Sequence, residues 1–234
     1  AIELSANSVS SGAIWPYYTI YGLNLTNTGG SVSTTIAGLR LVNALGSVLH
    51  ETKVDDFYIN YDVMNRSDTN SVWTENLTMW RPMSYRARYT HFRFTRDGIA
   101  ATLNSMARCN IYTPVIVSSW STGYAQYGFT IDPGVAFYDS SIRNVSGNFS
   151  GDAIVYIGYD SGSGWRGNME GSVVEGIFTE KSGTNRLGTQ GPIALVKAED
   201  LVSTKLPTLV HWGKYVYGSA SSTSRAPWSD GTDT

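Results

Sequence analysis

Short segments of alternating apolar and polar residues run through the first hundred positions, with turn-forming residues between them. Five of them occupy residues 21–27, 37–43, 55–61, 74–80 and 89–95. Apolar side chains at every second position predict β-strands. The segments are too widely spaced for simple hairpins, and their spacing favours coils of a parallel β-helix, each stacked on the one before. An antiparallel sandwich with evenly spaced strands is the alternative.

Strands are also predicted beyond residue 110, but the segments between them differ. Residues 132–134, 160–164 and 181–185 are strong turn signals, which favour hairpins and therefore an antiparallel sandwich or jelly-roll-like module. The predicted division is parallel β-helix coils over 1–110, a β-rich C-terminal module over 111–218 and a polar tail over 219–234. A single antiparallel β-sandwich is the alternative fold.

The composition agrees with an all-β chain and excludes several other classes. Among 234 residues, 41% are hydrophobic and 12% aromatic, which is too rich for a disordered chain. A net charge of −2 argues against nucleic acid as a partner. No apolar run approaches the roughly 18 residues of a membrane span, so we expect no membrane insertion. Cys109 is the only cysteine, which excludes an intrachain disulfide, and no cofactor is predicted.

Sugar binding is the chemistry that the aromatic residues favour. Their rings can stack on the apolar faces of sugars, while neighbouring polar groups bond the hydroxyls. Trp73 lies two residues before Glu75 in a predicted strand, so both side chains face the same groove. Tyr58 and Asp56 form a similar pair one predicted coil earlier. Burial of these rings in the core or between subunits is the alternative interpretation.

A second aromatic cluster lies in a Ser- and Gly-rich setting. It contains Trp120 and Tyr124, which we predict to be substrate-binding residues together with Trp73 and Tyr58.

Two carboxylates are candidates for catalysis. Glycoside hydrolysis needs two carboxyl groups roughly 5–10 Å apart, and stacked coils lie about 4.8 Å apart. Asp56 and Glu75 belong to neighbouring predicted coils, so they are the predicted catalytic pair. Solvated or structural carboxylates are the alternative.

Five arginines are concentrated within residues 81–96. The planar guanidinium recognises carboxylates and phosphates through two parallel hydrogen bonds. Arg86 and Arg88 are therefore predicted to bind an acidic host glycan or teichoic acid. Salt bridges to neighbouring acidic residues are the alternative.

Three stretches resemble bacteriophage tailspikes and related receptor-binding appendages. Residues 36–46 (IAGLRLVNALG) and 72–78 (VWTENLT) resemble their closing coils, and 141–155 (SIRNVSGNFSGDAIV) resembles the segment that follows the β-helix. The resemblance covers about residues 20–180. It implies a homotrimeric right-handed parallel β-helix with a β-rich C-terminal module that binds, and often cleaves, a bacterial surface polysaccharide.

The resulting hypothesis is the C-terminal part of a tailspike-like receptor-binding protein on an extracellular virion tail. It would recognise a bacterial cell-surface polysaccharide; if it also cleaves the polymer, it is a depolymerase of the glycoside hydrolase or lyase type. A structural viral capsid or jelly-roll protein and a non-catalytic secreted lectin-like protein are the alternatives.

Overall fold

The computed structural model describes residues 1–5, 17–29, 34, 36–66, 73–97, 105–118, 126–179, 192, 194–200, 204–212 and 228–229. Within these ranges the chain is all-β and contains no helix, which confirms the predicted class.

The first eleven strands are β1 (Ile2–Ser5), β2 (Thr19–Tyr21), β3 (Asn24–Thr26), β4 (Ala37–Val42), β5 (Val48–His50), β6 (Lys53–Asp55), β7 (Ile59–Asn65), β8 (Thr78–Trp80), β9 (Met83–Tyr85), β10 (Thr90–Arg96) and β11 (Asn110–Tyr112). The others are β12 (Val115–Val117), β13 (Tyr127–Ile131), β14 (Ser141–Arg143), β15 (Ser146–Gly147), β16 (Ala153–Ile157), β17 (Tyr159–Asp160), β18 (Trp165–Arg166), β19 (Val173–Thr179), β20 (Ala194–Ala198), β21 (Leu209–Trp212) and β22 (Trp228–Ser229).

Parallel pairing organises almost all of these strands. Eight of them form sheet 1, in the order β1-β4-β7-β10-β13-β16-β20-β22. A twelve-stranded sheet consists of two parallel ladders that meet at β19. Ladder 2 has the order β2-β5-β8-β11-β14-β19, with β21 also paired to β19, and ladder 3 has the order β3-β6-β9-β12-β15-β19.

The chain visits these ladders in a fixed order. A strand of sheet 1 is followed by one of ladder 2 and one of ladder 3, after which the chain returns to sheet 1. The ladder 2 strands from β5 to β19 begin at Val48, Thr78, Asn110, Ser141 and Val173, so the repeat has a nearly constant length. The spacing of the alternating segments in the sequence is therefore about half of a structural repeat. Segments 37–43 and 74–80, for example, supply β4 of sheet 1 and β8 of ladder 2.

Aligned side chains from successive repeats form the core. Leu39, Tyr61, Phe92, Phe129 and Val155 pair in register across five neighbouring strands of sheet 1, and none is more than 1% exposed. The ring centroid of Phe92 lies 4.7 Å from the ring centroid of Tyr61 and 4.8 Å from that of Phe129. This distance matches the spacing of paired strands, so an in-register parallel sheet stacks its aromatic rings without a gap.

A single left-handed residue turns the chain from ladder 2 to ladder 3 in six successive repeats. These residues are Gly22, Glu51, Arg81, Thr113, Asn144 and Gly176, with φ between 48° and 67°. The first five donate their backbone N–H to the carbonyl of the last ladder 2 residue in the next repeat, as Arg81 does to Tyr112 at 2.9 Å. The corner therefore keeps its stacking hydrogen bond while the chain changes direction.

Parallel pairing continues beyond residue 110. The pairs β10–β13, β11–β14 and β12–β15 are all parallel, and so are β16–β20 and β14–β19. Among the described strands only β17 and β18 pair antiparallel. The antiparallel module expected over 111–218 and the alternative of a single antiparallel sandwich are therefore wrong for the described residues. The expected turn at 160–164 is confirmed as the link between β17 and β18. The domain division itself stays a prediction.

Candidate functional site

A cleft of about 250 Å³ opens where three neighbouring strands of sheet 1 end. The strand β10 contributes its last residue, β13 contributes the loop that follows it, and β16 contributes the β17–β18 hairpin. The polar and aromatic residues of its lining are Arg96, Tyr138, Trp165, Arg166 and Asn168. The cleft therefore gathers residues from three successive repeats that are far apart in the sequence.

The guanidinium of Arg96 lies over an aromatic ring. Its Cζ is 3.5 Å from the centroid of Trp165, well within the range of a cation–π contact. Gly134 makes room for this arrangement, because a Cβ at that position would lie only 2.5 Å from Nε of Arg96. Burial beside the ring lowers the pKa of Arg96 from its ordinary value, while the nearby Asp97 opposes that shift. The guanidinium remains charged at neutral pH.

The hairpin orients a second guanidinium. The Nε of Arg166 donates to the carboxylate of Asp200, and its Nη1 donates to the carbonyl of Gly164 at 2.8 Å. The Cζ of Arg166 lies 4.8 Å from the ring centroid of Tyr159. In the hairpin turn, Asp160 accepts the Gly162 backbone N–H at 3.0 Å. Arg166 is therefore held by an ion pair, a carbonyl and a ring.

This combination of groups suits a flat polar ligand with apolar faces. Aromatic rings offer apolar contact area, and guanidinium and amide groups donate hydrogen bonds at their edges. Asn168 lies beside Tyr138, with its Nδ2 3.4 Å from the tyrosine hydroxyl. Sugars present both apolar C–H faces and hydroxyl rims, so the cleft has the chemistry expected of a carbohydrate site.

Tyrosines form a second cluster on strands of sheet 1 and on the residues that directly precede them. Tyr58 stacks on Tyr89 at 5.5 Å, Tyr89 meets the edge of Tyr127 at 5.9 Å, and Tyr127 stacks on Tyr156 at 4.2 Å. Burial raises the pKa of Tyr89 to about 12 and also raises that of Tyr156. These hydroxyls stay protonated at neutral pH. Because the rings contact one another over most of the row, they form a packed layer.

Beside the tyrosines lies a network of carboxylates and arginines. Asp62 is fully buried and accepts two hydrogen bonds from Arg93, at 2.8 and 3.0 Å, and one from Arg40 at 2.7 Å. Asp132 lies 4.0 Å from Nε of Arg93, and its side chain is 23% exposed. Burial raises the pKa of Asp132 from 3.8 to about 6, against the opposing effect of Arg93. Asp132 therefore titrates close to neutrality.

The predicted catalytic pair is not stacked. Asp56 follows ladder 3 with φ of 66°, and its carboxylate accepts from Nε of Arg88 at 2.8 Å. Glu75 precedes ladder 2; its carbonyl accepts the Gly46 N–H, and its carboxylate accepts from the Ser105 hydroxyl at 3.1 Å. The two residues therefore lie at different corners, and the predicted stacking of their coils is wrong. Their catalytic role stays a prediction.

The predicted substrate-binding residues are spread over several places. Trp73 is 41% exposed and lies before β8, whereas Tyr58 belongs to the tyrosine layer. Arg86 makes two hydrogen bonds to Asp55, at 2.9 and 2.8 Å, and Arg88 pairs with Asp56. The structure therefore favours salt bridging for these two arginines. Trp120 and Tyr124 lie outside the described residues.

The residues of the cleft were not singled out from the sequence. Arg96 belongs to the arginine-rich run, but the sequence offers no reason to separate it from its neighbours. Trp165 and Arg166 directly follow the 160–164 turn. An aromatic residue next to an arginine after a hairpin turn is the sequence signal that identifies these two as candidate site residues.

Comparison of the chain with protein-family models, with curated proteins and with solved structures finds no match. In the parts of the chain that the structure describes, no group of three or more His, Cys, Asp or Glu side chains could hold a metal ion. No helix long and apolar enough to span a membrane occurs among those residues. The geometry of the site is thus the basis for the functional assignment.

Proposed function

We propose that this chain is part of a tailspike-like receptor-binding protein of a bacteriophage, built as a right-handed parallel β-helix and assembled as a homotrimer. Its function is to attach the virion to the host by recognising a bacterial cell-surface polysaccharide. The regular circuit through sheet 1, ladder 2 and ladder 3 supports the β-helix, because its repeat keeps a nearly constant length over the ladder 2 strands from β5 to β19.

The cleft is the observation that carries the proposed function. It combines the ring of Trp165 with two guanidinium groups and an amide, and Gly134 makes room for one of those guanidiniums. A purely structural repeat has no need for a hairpin that projects an aromatic–arginine pair over a cleft. A polysaccharide receptor needs such a surface, because sugar rings are recognised by stacking and by hydrogen bonds at their rims.

An exposed aromatic row on ladder 2 supports contact between chains. Tyr21 is 68% exposed and lies 5.6 Å from the His50 ring, and Trp80 is 44% exposed and stacks on Tyr112 at 4.5 Å. Such a row is suited to packing against another subunit, where exposed apolar area is buried.

The proposed function is tested by incubating the protein with a panel of purified bacterial surface polysaccharides, followed by size-exclusion chromatography. We expect one polymer to co-elute with the protein, and a shortened polymer would show that the protein also depolymerises it. Trp165→Ala should abolish co-elution. Tyr17→Ala is the control, because Tyr17 is an exposed aromatic residue outside the cleft.

Three outcomes contradict the proposal or its assignment to the cleft. If no polysaccharide binds and the protein assembles into large shells, the structural-protein alternative is correct. If the protein is a monomer by light scattering and binds only simple sugars, the lectin-like alternative is correct. Equal binding by Trp165→Ala and wild type would place the polysaccharide site elsewhere.

A further inference from the structure

We infer that the protein hydrolyses the polysaccharide that it binds, with Asp132 as the general acid and Glu199 as the general base that activates water. This inference rests on the proposed function and adds a reaction to it. The two residues directly follow β13 and β20, at the end of sheet 1 where the cleft opens. Gly134 comes two residues after Asp132 and lines the cleft, and Asp200, next to Glu199, pairs with Arg166 of its lining. A polysaccharide held in the cleft therefore lies close to both carboxyl groups.

Strand register brings Asp132 and Glu199 to the same face of sheet 1. The last residues of β13, β16 and β20 pair in register and are buried in the core; they are Ile131, Ile157 and Ala198. The residues that follow them are Asp132, Gly158 and Glu199, and the ladder continues because Gly158 and Glu199 each donate a backbone N–H to the preceding strand. Since alternate side chains point to opposite faces of a sheet, the two carboxyl groups lie on the outer face.

The separation of the two carboxyl groups suits glycoside hydrolysis. Paired strands lie about 4.8 Å apart, so the backbones of Asp132 and Glu199, with β16 between them, are separated by about 9.6 Å. The Glu199 carboxylate is drawn toward β16, because its Oε2 accepts the Tyr159 N–H at 2.9 Å and the Tyr156 hydroxyl also donates to it. The carboxyl groups therefore lie between one and two strand spacings apart, in the range of roughly 5–10 Å that glycoside hydrolysis requires.

Asp132 has the surroundings of a general acid. Its side chain is 23% exposed and so reaches solvent, while burial raises its pKa from 3.8 to about 6 against the opposing effects of Arg93 and of a hydrogen bond to Thr95. Gly158 lets the next residue, Pro133, pack closely, because a Cβ on Gly158 would lie 2.9 Å from Cδ of Pro133. Asp132 is thus held beside β16, and it keeps its proton to a higher pH than an ordinary carboxyl group does.

Glu199 has the complementary surroundings. It is exposed, and it accepts hydrogen bonds from a backbone N–H and from the Tyr156 hydroxyl, which is the role of an ionised carboxylate. One carboxyl group of the pair is poorly solvated and the other is solvated and hydrogen-bonded. Two carboxyl groups in such unlike surroundings divide the tasks of acid and base between them.

The reaction breaks one bond and forms another at the anomeric carbon. Asp132 donates its proton to the glycosidic oxygen, and the bond from that oxygen to the anomeric carbon breaks, leaving its electron pair on the oxygen. Glu199 takes a proton from a water molecule, whose oxygen forms the new bond to the anomeric carbon from the opposite side. The products are two shorter chains, one of which has a new reducing end of inverted configuration. Exchange with solvent then removes the proton from Glu199 and returns one to Asp132.

The test follows the release of reducing ends from the polysaccharide of the panel that co-elutes with wild type or is shortened by it. In water labelled with a heavy oxygen isotope, each new reducing end should carry the label. Asp132→Asn and Glu199→Gln should each lower kcat by about 10²- to 10⁴-fold and leave co-elution unchanged. The wild-type rate should fall as the pH rises above about 6, because Asp132 loses its proton, and the residual rate of Asp132→Asn should not show this fall.

Glu170→Gln is the matched control, because it removes an exposed carboxylate that pairs with Lys205 outside the cleft. Its kcat should equal that of wild type. Urea unfolding of each variant separates a lost rate from a lost fold. Should Glu199→Gln fail to fold, the label and the configuration of the new reducing end, read by nuclear magnetic resonance, test the activation of water on the wild-type protein.

Failure of this inference differs from failure of the proposed function. If a polysaccharide co-elutes with wild type and no reducing ends appear at any pH, hydrolysis is overturned while receptor binding stands. Unlabelled products with a carbon–carbon double bond would show elimination in place of hydrolysis, and retained configuration would overturn the role of Glu199 as base. A variant that keeps the wild-type kcat overturns the assignment of its residue. If no polysaccharide binds or is shortened, both proposals are wrong.

Discussion

Asp132 provides the sharpest test of the energetics, because it is a carboxyl group that the folded protein keeps in a poorly solvated place. Burial raises its pKa from 3.8 to about 6. Each pKa unit corresponds to about 1.36 kcal/mol, so the ionised carboxylate lowers the free energy of unfolding at pH 7 by at most about 3 kcal/mol. Asp132→Asn removes that ionisation and should make the protein more stable at pH 7 by up to this amount.

The sign of the pH dependence follows from proton binding. Below about pH 4 both the folded and the unfolded chain carry the proton, and Asp132 contributes no pH dependence. Between about pH 4 and pH 6 the folded chain retains a proton that the unfolded chain has lost. Stability therefore falls as the pH rises through this range. In Asp132→Asn this fall in stability with rising pH should be absent.

The pH-dependent contribution of Asp132 is measured by urea unfolding of wild type and Asp132→Asn at intervals of half a pH unit from pH 4 to pH 7.5. It is the difference between the free energies of unfolding of the two proteins at each pH. Asp160→Asn is a control of opposite sign, since hydrogen bonds from Ser163 and the Gly162 backbone lower the pKa of that exposed carboxyl group. The stabilising effect of the ionised Asp160 carboxylate should disappear as the pH falls. A difference between wild type and Asp132→Asn that stays constant from pH 4 to pH 7.5 would refute the reasoning.

Three further substitutions test the core and the corners by the same unfolding measurement. Asp62→Asn leaves the guanidiniums of Arg40 and Arg93 without their buried counter-charge and should destabilise the protein by about 3–5 kcal/mol; a loss below about 1 kcal/mol would contradict this. Phe92→Ala opens a cavity between two stacked rings and should cost about 3–5 kcal/mol, with Phe92→Leu costing clearly less. Thr113→Asn should stabilise by about 0.5–1 kcal/mol, because asparagine tolerates the φ of 51° better than a β-branched residue; a destabilised variant would show that the corner is not strained.

The alternation of apolar and polar residues was sufficient to predict an all-β chain and parallel stacking in its first part. It was not sufficient to identify which strands stack. Segments 37–43 and 74–80 look alike in the sequence because each has one face turned inward, yet they belong to sheet 1 and ladder 2. A period of two reports which face of a strand is buried, and it carries no information about the sheet to which the strand belongs.

The strands beyond residue 110 show how turn signals can mislead. The 160–164 segment does form a hairpin turn, but that hairpin is inserted between β16 and β19. Each of these two strands pairs parallel with its neighbours in its own sheet. The turn chemistry of Asp160 is local, since its carboxylate bonds Gly162 and Ser163 just after it. Strand direction in the sheet is decided by contacts with the preceding and following repeats, which local turn residues do not determine.

The sequence alone indicated the kinds of group that the protein uses, namely aromatic rings and a run of arginines in a weakly charged β-rich chain. Only the tertiary structure decided that Arg86 meets a carboxylate while Arg96 meets the ring of Trp165, two repeats further along the chain. The two arginines are equivalent as chemical groups. Their contacts differ because parallel stacking places the carboxylate of Asp55 beside Arg86 and the ring of Trp165 beside Arg96.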